Sequence, residues 1–220
     1  MNKNQFLNML ESLRVVVRSR EEGVSSIVDS IDRVIDWVDQ SDDVTFGVSK
    51  KQGSLDYPMP EVAIKFHQPI VVFSDGACRG NPGPGAWGAV AQLKADEFLF
   101  QKSGVEFNTT NNKMELTGAI EGLKSVLDNF DDYSTSDILL VSDSKYVVDG
   151  LKSWVSGWKK RGWKKSDGKP PENLELWKEL DQLNDKLGGV HLFWVKGHSG
   201  HPQNELCDQL ANKALDQVGL

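Results

Sequence analysis

The sequence predicts an α/β protein with a mixed β-sheet flanked by helices, preceded by a small α-helical hairpin region. Three segments of strand character open the larger part of the chain, and helical segments then alternate with single strands. This order is typical of a mixed sheet that is covered by helices. Ahead of it, apolar residues recur at helical spacing in two successive stretches.

The N-terminal region is expected to form two helices joined by the turn "SREEG". Residues 3–20 and 24–39 each carry an apolar stripe at helical spacing, made by Phe6, Leu10, Leu13 and Val17 and by Ile27, Ile31, Val34 and Val38. The chain then becomes polar and loses its periodicity, which indicates a linker. We therefore divide the chain into an acidic helical hairpin region over 1–40, a linker over 41–68 and a main domain over 69–220.

The main domain begins with a β-branched and aromatic run that predicts a buried strand over 70–75. A loop rich in glycine and proline follows, and we expect it to let a polymer backbone approach closely. Two further strands, "WGAVAQLKA" and "EFLFQKSGVEF", are expected to pair antiparallel. The remaining elements are a helix in "TTNNKMELTGAIEGLKSVLDNF", a buried strand "DILLVSD", a helix that turns basic and aromatic in "SKYVVDGLKSWVSGWKKRGWKK", a helix "ENLELWKELDQLNDKLG", a strand "VHLFWVKG" and a closing helix "HPQNELCDQLANKALDQV".

Composition and charge exclude several classes of protein. Cys78 and Cys207 are the only cysteines, too few for a disulfide framework or a zinc knuckle. No apolar run approaches the roughly 18 residues that a membrane span needs, and Glu11 and Arg14 interrupt the start of the chain, so it holds no signal-peptide core. We expect a cytoplasmic protein. Residues 1–68 hold 8 Lys and Arg against 11 Asp and Glu, so this segment is a poor candidate for binding phosphates.

Four carboxylates stand where a site could assemble. Asp75 and Asp143 each end an apolar strand in Ser-Asp, while Glu115 and Asp208 flank the apolar faces of two helices. Each acid alone is more often a solvated or capping residue. Four acids gathered together would repel one another, so such a cluster implies cations. Without a thiol or imidazole cluster these cations should be hard and oxygen-loving, Mg²⁺ or Mn²⁺.

Five motifs together resemble ribonuclease H type 1 over residues 69–220: "SDGACRGNPGPGAWG", "TTNNKMEL", "SDSKYV", "WVSGWKKRGWKK" and "WVKGHSGHPQNELCDQLA". The resemblance implies the ribonuclease H-like fold with a five-stranded mixed sheet. It also implies an endoribonuclease that cuts the RNA strand of RNA–DNA hybrids with two Mg²⁺ ions, or Mn²⁺ as a substitute, leaving 5′-phosphate and 3′-hydroxyl ends. The family's metal-binding carboxylates fall on Asp75, Glu115, Asp143 and Asp208. His198, in a glycine-flanked loop, takes the place of the proton shuttle or product-release residue.

The resemblance also implies a substrate surface. The RNA strand is expected near Asn81, Asn112 and the main chain of Cys78 and Arg79, where the 2′-hydroxyl can be recognised. Thr110, Lys113 and Asn81 resemble the family's DNA-phosphate pocket. The stretch 152–169 holds seven basic residues and one acid, interleaved with tryptophans, and resembles the basic protrusion that contacts DNA. The predicted contacts there are Trp154, Trp158, Lys159, Lys160, Arg161 and Trp163, with Trp177 lining the channel.

The chain departs from the family pattern at three places. Lys113 and Lys145, both expected substrate contacts, replace the arginine and glutamine of well-known bacterial members, and a lysine at 113 lacks the bidentate fork of arginine. The N-terminal region is acidic, whereas some members begin with a basic, aromatic hybrid-binding domain. We expect residues 1–40 to form a homodimer contact, to bind a protein partner, or to pack on the main domain and only stabilise the fold, and we favour the homodimer over packing on the main domain.

Two alternatives differ in function. A DNA-directed nuclease of the same fold would lack the basic, tryptophan-rich protrusion and the "TTNNKME" segment, and both are present. A non-catalytic hybrid-binding protein would have lost a carboxylate, and none of the four is missing. Cleavage of RNA–DNA hybrids is therefore the predicted function.

Overall fold

The computed structural model describes residues 31–32, 35, 56–130 and 133–219. Ile31, Asp32 and Ile35 are helical, and the rest of the predicted helical hairpin over 1–40 lies outside the described residues, as does most of the linker. Residues 55–220 form one compact unit. In its described residues, no helix is long and apolar enough to cross a lipid bilayer.

The compact unit is built on the predicted five-stranded mixed sheet. The strands are β1 (Ile70–Cys78), β2 (Gly83–Lys94), β3 (Glu97–Thr109), β4 (Ile138–Ser142) and β5 (His191–Trp194), in the spatial order β3-β2-β1-β4-β5. The β1–β2 and β2–β3 pairs are antiparallel, as expected for consecutive strands, and β4 and β5 add in parallel. The strand predicted over 70–75 continues to Cys78, because its last residues pair with the start of β2.

Five α-helices surround the sheet: α1 (Asn111–Asn129), α2 (Lys145–Asp149), α3 (Val155–Lys160), α4 (Leu174–Lys186) and α5 (Pro202–Gln217). A π-helical turn over Gly150–Trp154 joins α2 to α3. The side chains of β1 alternate between two cores, because successive residues of a strand point to opposite faces. Ile70 and Val72 pack with α1 and α4, whereas Val71 and Phe73 pack in a second cluster that includes Cys207 of α5.

Residues 56–68, predicted as the end of a linker, belong to the compact unit and pack against its sheet and α5. The buried amides of Gln92 and Gln203 donate hydrogen bonds to the carbonyls of Tyr57 (2.6 Å) and Pro58 (2.5 Å). Ala63, in a 3₁₀ turn over Glu61–Lys65, is buried in the second core cluster. A linker would leave its backbone to water, whereas this segment covers one face of the sheet. We call residues 56–66 the N-terminal strap.

Candidate active site

Three carboxylates from three different elements meet beside the middle of the sheet. Asp75 lies within β1, Asp143 directly follows the parallel neighbour β4, and Glu115 lies in the first turns of α1. One oxygen of each carboxylate lies within 4.8 Å of the others. The parallel pairing of β1 with β4 ends at Phe73 and Val141, so Asp75 and Asp143 each follow it by two residues and lie close together. Asp75 is not at the strand end that the sequence predicts, because β1 continues to Cys78 in its pairing with β2.

Two glycines allow the acid-bearing helices to approach the strands this closely. A Cβ atom on Gly76 of β1 would collide with the backbone of Met114 and Glu115, and one on Gly88 of β2 would lie 2.9 Å from the carbonyl carbon of Cys207. Because these glycines have no side chain, the backbones of the two helices can pack directly on the strands. This packing positions Glu115 and also Cys207, the residue before Asp208. The prediction that the glycine-rich stretch admits a polymer backbone is corrected for these two positions.

The cluster holds more negative charge than it can keep without a cation. Burial, followed by the charge of Asp143, raises the pKa of Asp75 to about 7, and the charges of Asp208 and His198 act on it in opposite directions. Burial, followed by the charges of Asp75 and Asp143, raises the pKa of Glu115 to about 9. Desolvation and like charges both favour the protonated form of a carboxyl group. A pair of carboxyls that hold their protons near neutral pH can exchange them for a metal ion.

Hydrogen bonds orient the cluster and leave one oxygen free. Asp75 Oδ1 accepts from the backbone of Gly76 (2.7 Å), and Glu115 Oε1 accepts from Asn111 Nδ2 (3.2 Å). Glu115 Oε2 is buried without a hydrogen-bond partner among the described residues. A buried acceptor without a partner costs about 1–3 kcal/mol, so this oxygen is a candidate metal ligand. Asn204, which the sequence analysis missed, donates to Asp143 Oδ2 at 3.1 Å.

Asp208 and His198 stand at the edge of the cluster. Asp208 lies one residue after the buried Cys207 in α5, and its Oδ1 accepts a hydrogen bond from Asn212 Nδ2 at 2.8 Å. Its negative charge raises the pKa of Asp75, although its oxygens are not part of the 4.8 Å group. His198 is exposed in the loop between β5 and α5 and has a positive φ of 49°. Its charge lowers the pKa of Asp75, so it lies close enough to act on the cluster.

A polar groove of about 510 Å³ lies beside the start of α1. Asn81, Thr110 and Asn112, three of the predicted substrate residues, line it together with Glu172 and Asn173. Neither Glu172 nor Asn173 was predicted, because an asparagine that precedes a helix is ordinarily a cap. Here Asn173 makes no capping hydrogen bond and its amide lies 3.4 Å from the Tyr146 hydroxyl. Its polar side chain therefore faces a groove that the sequence had assigned to other residues.

The side chains of several other predicted substrate residues already contact polar or acidic groups of the protein. Cys78 is half-buried, with its Sγ 3.6 Å from the carbonyl oxygens of Gly83 and Thr109. The Arg79 guanidinium pairs with Asp216 at 2.6 Å. Lys113 pairs with Glu106 on β3. The predicted phosphate contact at Lys113 therefore has a competing carboxylate.

The tryptophans of the protrusion divide between core and surface. Trp154 is 38% exposed and, with Trp158, lines an aromatic groove of about 310 Å³. Trp158 is largely buried and Trp163 half-buried, and both contribute to the core. Trp177 is fully buried and donates from Nε1 to the Tyr146 hydroxyl at 3.1 Å. The prediction that Trp177 lines the channel is corrected, because its buried indole packs against the rings of Tyr146, Trp154 and Trp158.

The basic residues of the protrusion are not equally available. Lys159 pairs with Asp181 at 2.8 Å and with Asp185 at 3.3 Å, both on α4. Lys160 and Arg161 are exposed, and Arg161 Nε donates to the Lys164 carbonyl at 3.1 Å, within its own turn. Sequence spacing gave these three residues equal weight. Only the packing of α4 beside α3 shows that the charge of Lys159 is already compensated.

Comparison with known proteins places this arrangement among nucleases. The family model described as RNase H matches residues 67–216. Ribonuclease H of Agrobacterium fabrum is 48% identical over 147 residues, covering 67% of this chain and 94% of the relative. Ribonuclease H of Pseudomonas savastanoi is 47% identical over 149 residues, covering 68% and 94%. Among solved structures, LC9-RNase H1, a type 1 RNase H with the type 2 active-site motif, has a TM-score of 0.59 at 33% identity, covering 68% of this chain and 73% of that one.

Proposed function

Because the chain belongs to the ribonuclease H family, we propose that it hydrolyses the RNA strand of RNA–DNA hybrids with two divalent metal ions, leaving 5′-phosphate and 3′-hydroxyl ends. The observation that carries the proposal is the convergence of Asp75, Glu115 and Asp143 from three elements to within 4.8 Å. All three are carboxylates, and hydrolysis of a phosphodiester needs positive charge at the reacting phosphate.

The donor set fits magnesium. Carboxylate oxygens suit hard divalent cations, and the group within 4.8 Å includes no thiol or imidazole. The unpartnered Oε2 of Glu115 and the raised pKa values of Asp75 and Glu115 are expected of ligands that await a cation. Asp75, Glu115 and Asp143 would hold the ions, with Asp208 as the fourth ligand from α5. Mn²⁺ would be accepted by the same oxygens.

The chemistry divides between the ions and the chain. When bound, the two cations would activate the attacking water and stabilise the leaving 3′ oxygen. The chain holds the carboxylates in place through Gly76, Asn111 and Asn204. His198, exposed beside the cluster, can carry protons between the site and solvent or assist product release. Its position on a glycine-flanked loop lets it approach without disturbing the sheet.

The grooves beside the cluster suit a hybrid duplex. The polar groove offers hydroxyl and amide groups from Asn81, Thr110, Asn112 and Asn173, which can bind backbone phosphates and sugar hydroxyls. The 2′-hydroxyl both donates and accepts hydrogen bonds, so amide side chains at this groove can distinguish RNA from DNA. Exposed Trp154, Lys160 and Arg161 extend the surface toward the DNA strand.

The test is cleavage of four labelled substrates: RNA–DNA hybrid, duplex RNA, duplex DNA and DNA that contains a single ribonucleotide, each with Mg²⁺, with Mn²⁺ or with EDTA. We expect metal-dependent cleavage of the RNA strand of the hybrid. Asp143→Asn should abolish it, and the control Asp149→Asn, an exposed acid of α2, should not. Cleavage of duplex DNA would support a DNA-directed nuclease instead. Binding of hybrid without cleavage would support a non-catalytic protein.

We extend the proposal to the location and partners of the protein. Cys78 and Cys207 are free thiols, in agreement with the reducing cytoplasm in which this enzyme would meet hybrids. The apolar stripes of residues 1–40 would pair with a second copy or with a protein partner, because an isolated two-helix hairpin is marginally stable in water. Light scattering of the full chain and of a variant without residues 1–54 tests this pairing. Monomers in both cases would exclude the homodimer.

A further inference from the structure

Three of the basic residues predicted to contact the substrate are already paired with acids. Arg79, Lys113 and Lys159 each have a carboxylate partner, on α5, β3 and α4 respectively. A cation that is paired in the free protein must exchange one anion for another when it binds a phosphate, so its net contribution to affinity is small. The cations that matter most for the substrate should therefore be exposed ones without an acidic partner.

Lys145 is such a cation, and it lies beside the cluster. It is exposed at the first position of α2, two residues after Asp143. Within the described part of the chain it makes no ion pair. Its ammonium instead lies over the indole of Trp194, at 4.8 Å from the ring centroid. This is a cation–π contact, which holds the position of a charge without neutralising it.

Trp194 is itself fixed to the site. Its indole Nε1 donates a hydrogen bond to the backbone carbonyl of Asp143 at 2.9 Å. The side chain is nevertheless 44% exposed, at the end of β5 where the chain enters the loop that carries His198. A large, half-exposed aromatic residue that is held by the backbone of a candidate metal ligand contributes little to the core. Its face is available to a cation.

We infer that Lys145 and Trp194 form a phosphate-positioning pair at the rim of the carboxylate cluster. The indole, anchored on the Asp143 carbonyl, holds the Lys145 ammonium where it meets a backbone phosphate of the hybrid next to the cleaved bond. The inference rests on the proposed function and adds a residue, Trp194, that the sequence motifs did not assign to the substrate. Trp194 is a positioning residue, because it acts through Lys145.

The chemistry favours a phosphate as the ligand. An ammonium is a compact point charge that needs no planar, two-pronged acceptor, in contrast to a guanidinium. Phosphates supply most of the salt-dependent affinity for nucleic acids, and each neutralised phosphate contributes a slope of about 0.9 in a log–log plot of affinity against salt on duplex DNA. The Lys145 ammonium lies two residues from Asp143, where the phosphate backbone of the hybrid must be held for cleavage.

The first experiment measures binding of a fluorescein-labelled RNA–DNA hybrid in EDTA over a range of salt concentrations. Lys145→Gln should weaken binding roughly 3- to 10-fold at low salt and lower the slope by about 0.9. The matched control is Lys102→Gln, since the Lys102 ammonium also lies over a ring, that of Phe100 at 5.9 Å, but on the edge strand β3. The control should leave affinity and slope unchanged. An unchanged slope in Lys145→Gln would overturn the proposal.

The second experiment tests the coupling of the two residues. Trp194→Leu should weaken binding about 2- to 5-fold, the range of an exposed cation–π contact, whereas Trp194→Phe, which keeps a ring but loses the Nε1 hydrogen bond, should weaken binding less. In the Lys145→Gln background, Trp194→Leu should have no further effect on binding. Additive effects in this double-mutant cycle would show that Trp194 acts independently of Lys145 and would overturn the pair.

A structural role for Trp194 would give a different result. If the indole only supported Asp143, then Trp194→Leu would lower kcat equally in both backgrounds and leave the salt slope unchanged, which would also overturn the pair. Thermal unfolding of each variant shows whether it is folded. Cleavage of the hybrid by the wild-type protein with Mg²⁺ is scored separately, so failure of the proposed function is distinguished from failure of the pair.

Discussion

Replacing Asp75 with asparagine should raise the free energy of unfolding when no divalent cations are present. The same substitution should abolish hybrid cleavage. Burial and the charge of Asp143 raise the pKa of this carboxyl from its ordinary 3.8 to about 7. A carboxyl whose pKa is higher in the folded than in the unfolded state disfavours folding once the pH exceeds its unfolded-state pKa. At about 1.36 kcal/mol per pKa unit, the difference corresponds to roughly 4 kcal/mol when the group is fully ionised.

The sign and the pH window follow from the two pKa values. Below about pH 3 the carboxyl is protonated in both states, so the substitution should change stability little. The advantage of asparagine should be about 1–2 kcal/mol near pH 5 and should approach roughly 4 kcal/mol near pH 8. Asparagine retains the size of the side chain and an oxygen that can accept the Gly76 hydrogen bond. The packing around β1 is therefore preserved, and the effect isolates the charge.

The assay is urea unfolding in EDTA near pH 5 and near pH 8, followed by the same measurement with Mg²⁺. Wild type, Asp75→Asn and the control Asp149→Asn are compared. Mg²⁺ should stabilise the wild type most at the higher pH, where protons no longer compete for the carboxylates, and should stabilise Asp75→Asn less. If wild type and Asp75→Asn lose stability in parallel as the pH rises, then ionisation of Asp75 is not what destabilises the wild-type fold. Retained cleavage in Asp75→Asn would refute its role as a metal ligand.

Three further predictions test the rest of the site and the domain boundary. His198→Ala should slow turnover at saturating hybrid by roughly 10- to 1,000-fold, on the scale of general acid–base catalysis, and leave metal-induced stabilisation intact; an unchanged rate would remove His198 from the mechanism. Arg161→Gln should lower hybrid affinity and salt slope more than Lys159→Gln, because Lys159 is already paired with two acids; equal effects would show that these pairs open freely. Deleting residues 1–54 should leave cleavage intact. Deleting residues 1–66 should destabilise the domain relative to the first truncation, by about 0.5–1.5 kcal/mol for each lost hydrogen bond from Gln92 and Gln203 to the N-terminal strap; equal unfolding midpoints of the two truncated proteins would contradict this.

Much of the fold and site could be predicted from the sequence because the signals are local. β-branched runs that end in Ser-Asp predicted strands that lead directly to Asp75 and Asp143, although β1 continues beyond Asp75 to Cys78, and consecutive strands pair antiparallel by default. Motif spacing placed Glu115 on the helix that follows, and the structure brings these three together. The chemistry of a carboxylate cluster also follows from residue type alone, because like charges in one site require cations.

Other features depend on contacts between residues that are distant in sequence. Sequence spacing could not show that Gly76 and Gly88 admit backbone of α1 and α5, because the close approach exists only once the helices pack on the sheet. The same holds for the buried Trp177, whose aromatic character is equally compatible with a substrate channel.

Tertiary structure also decides which charged side chains remain unpaired and can bind a substrate. Lysines look alike in a sequence, whereas α4 pairs Lys159 with two acids and β5 offers Lys145 an indole. Residue types alone therefore indicate which groups are candidates for the chemistry, since acidity and metal preference are properties of the side chain. Which of the surrounding groups remain available to a substrate was decided by packing, because burial and ion pairing are properties of neighbours that only the folded chain brings together.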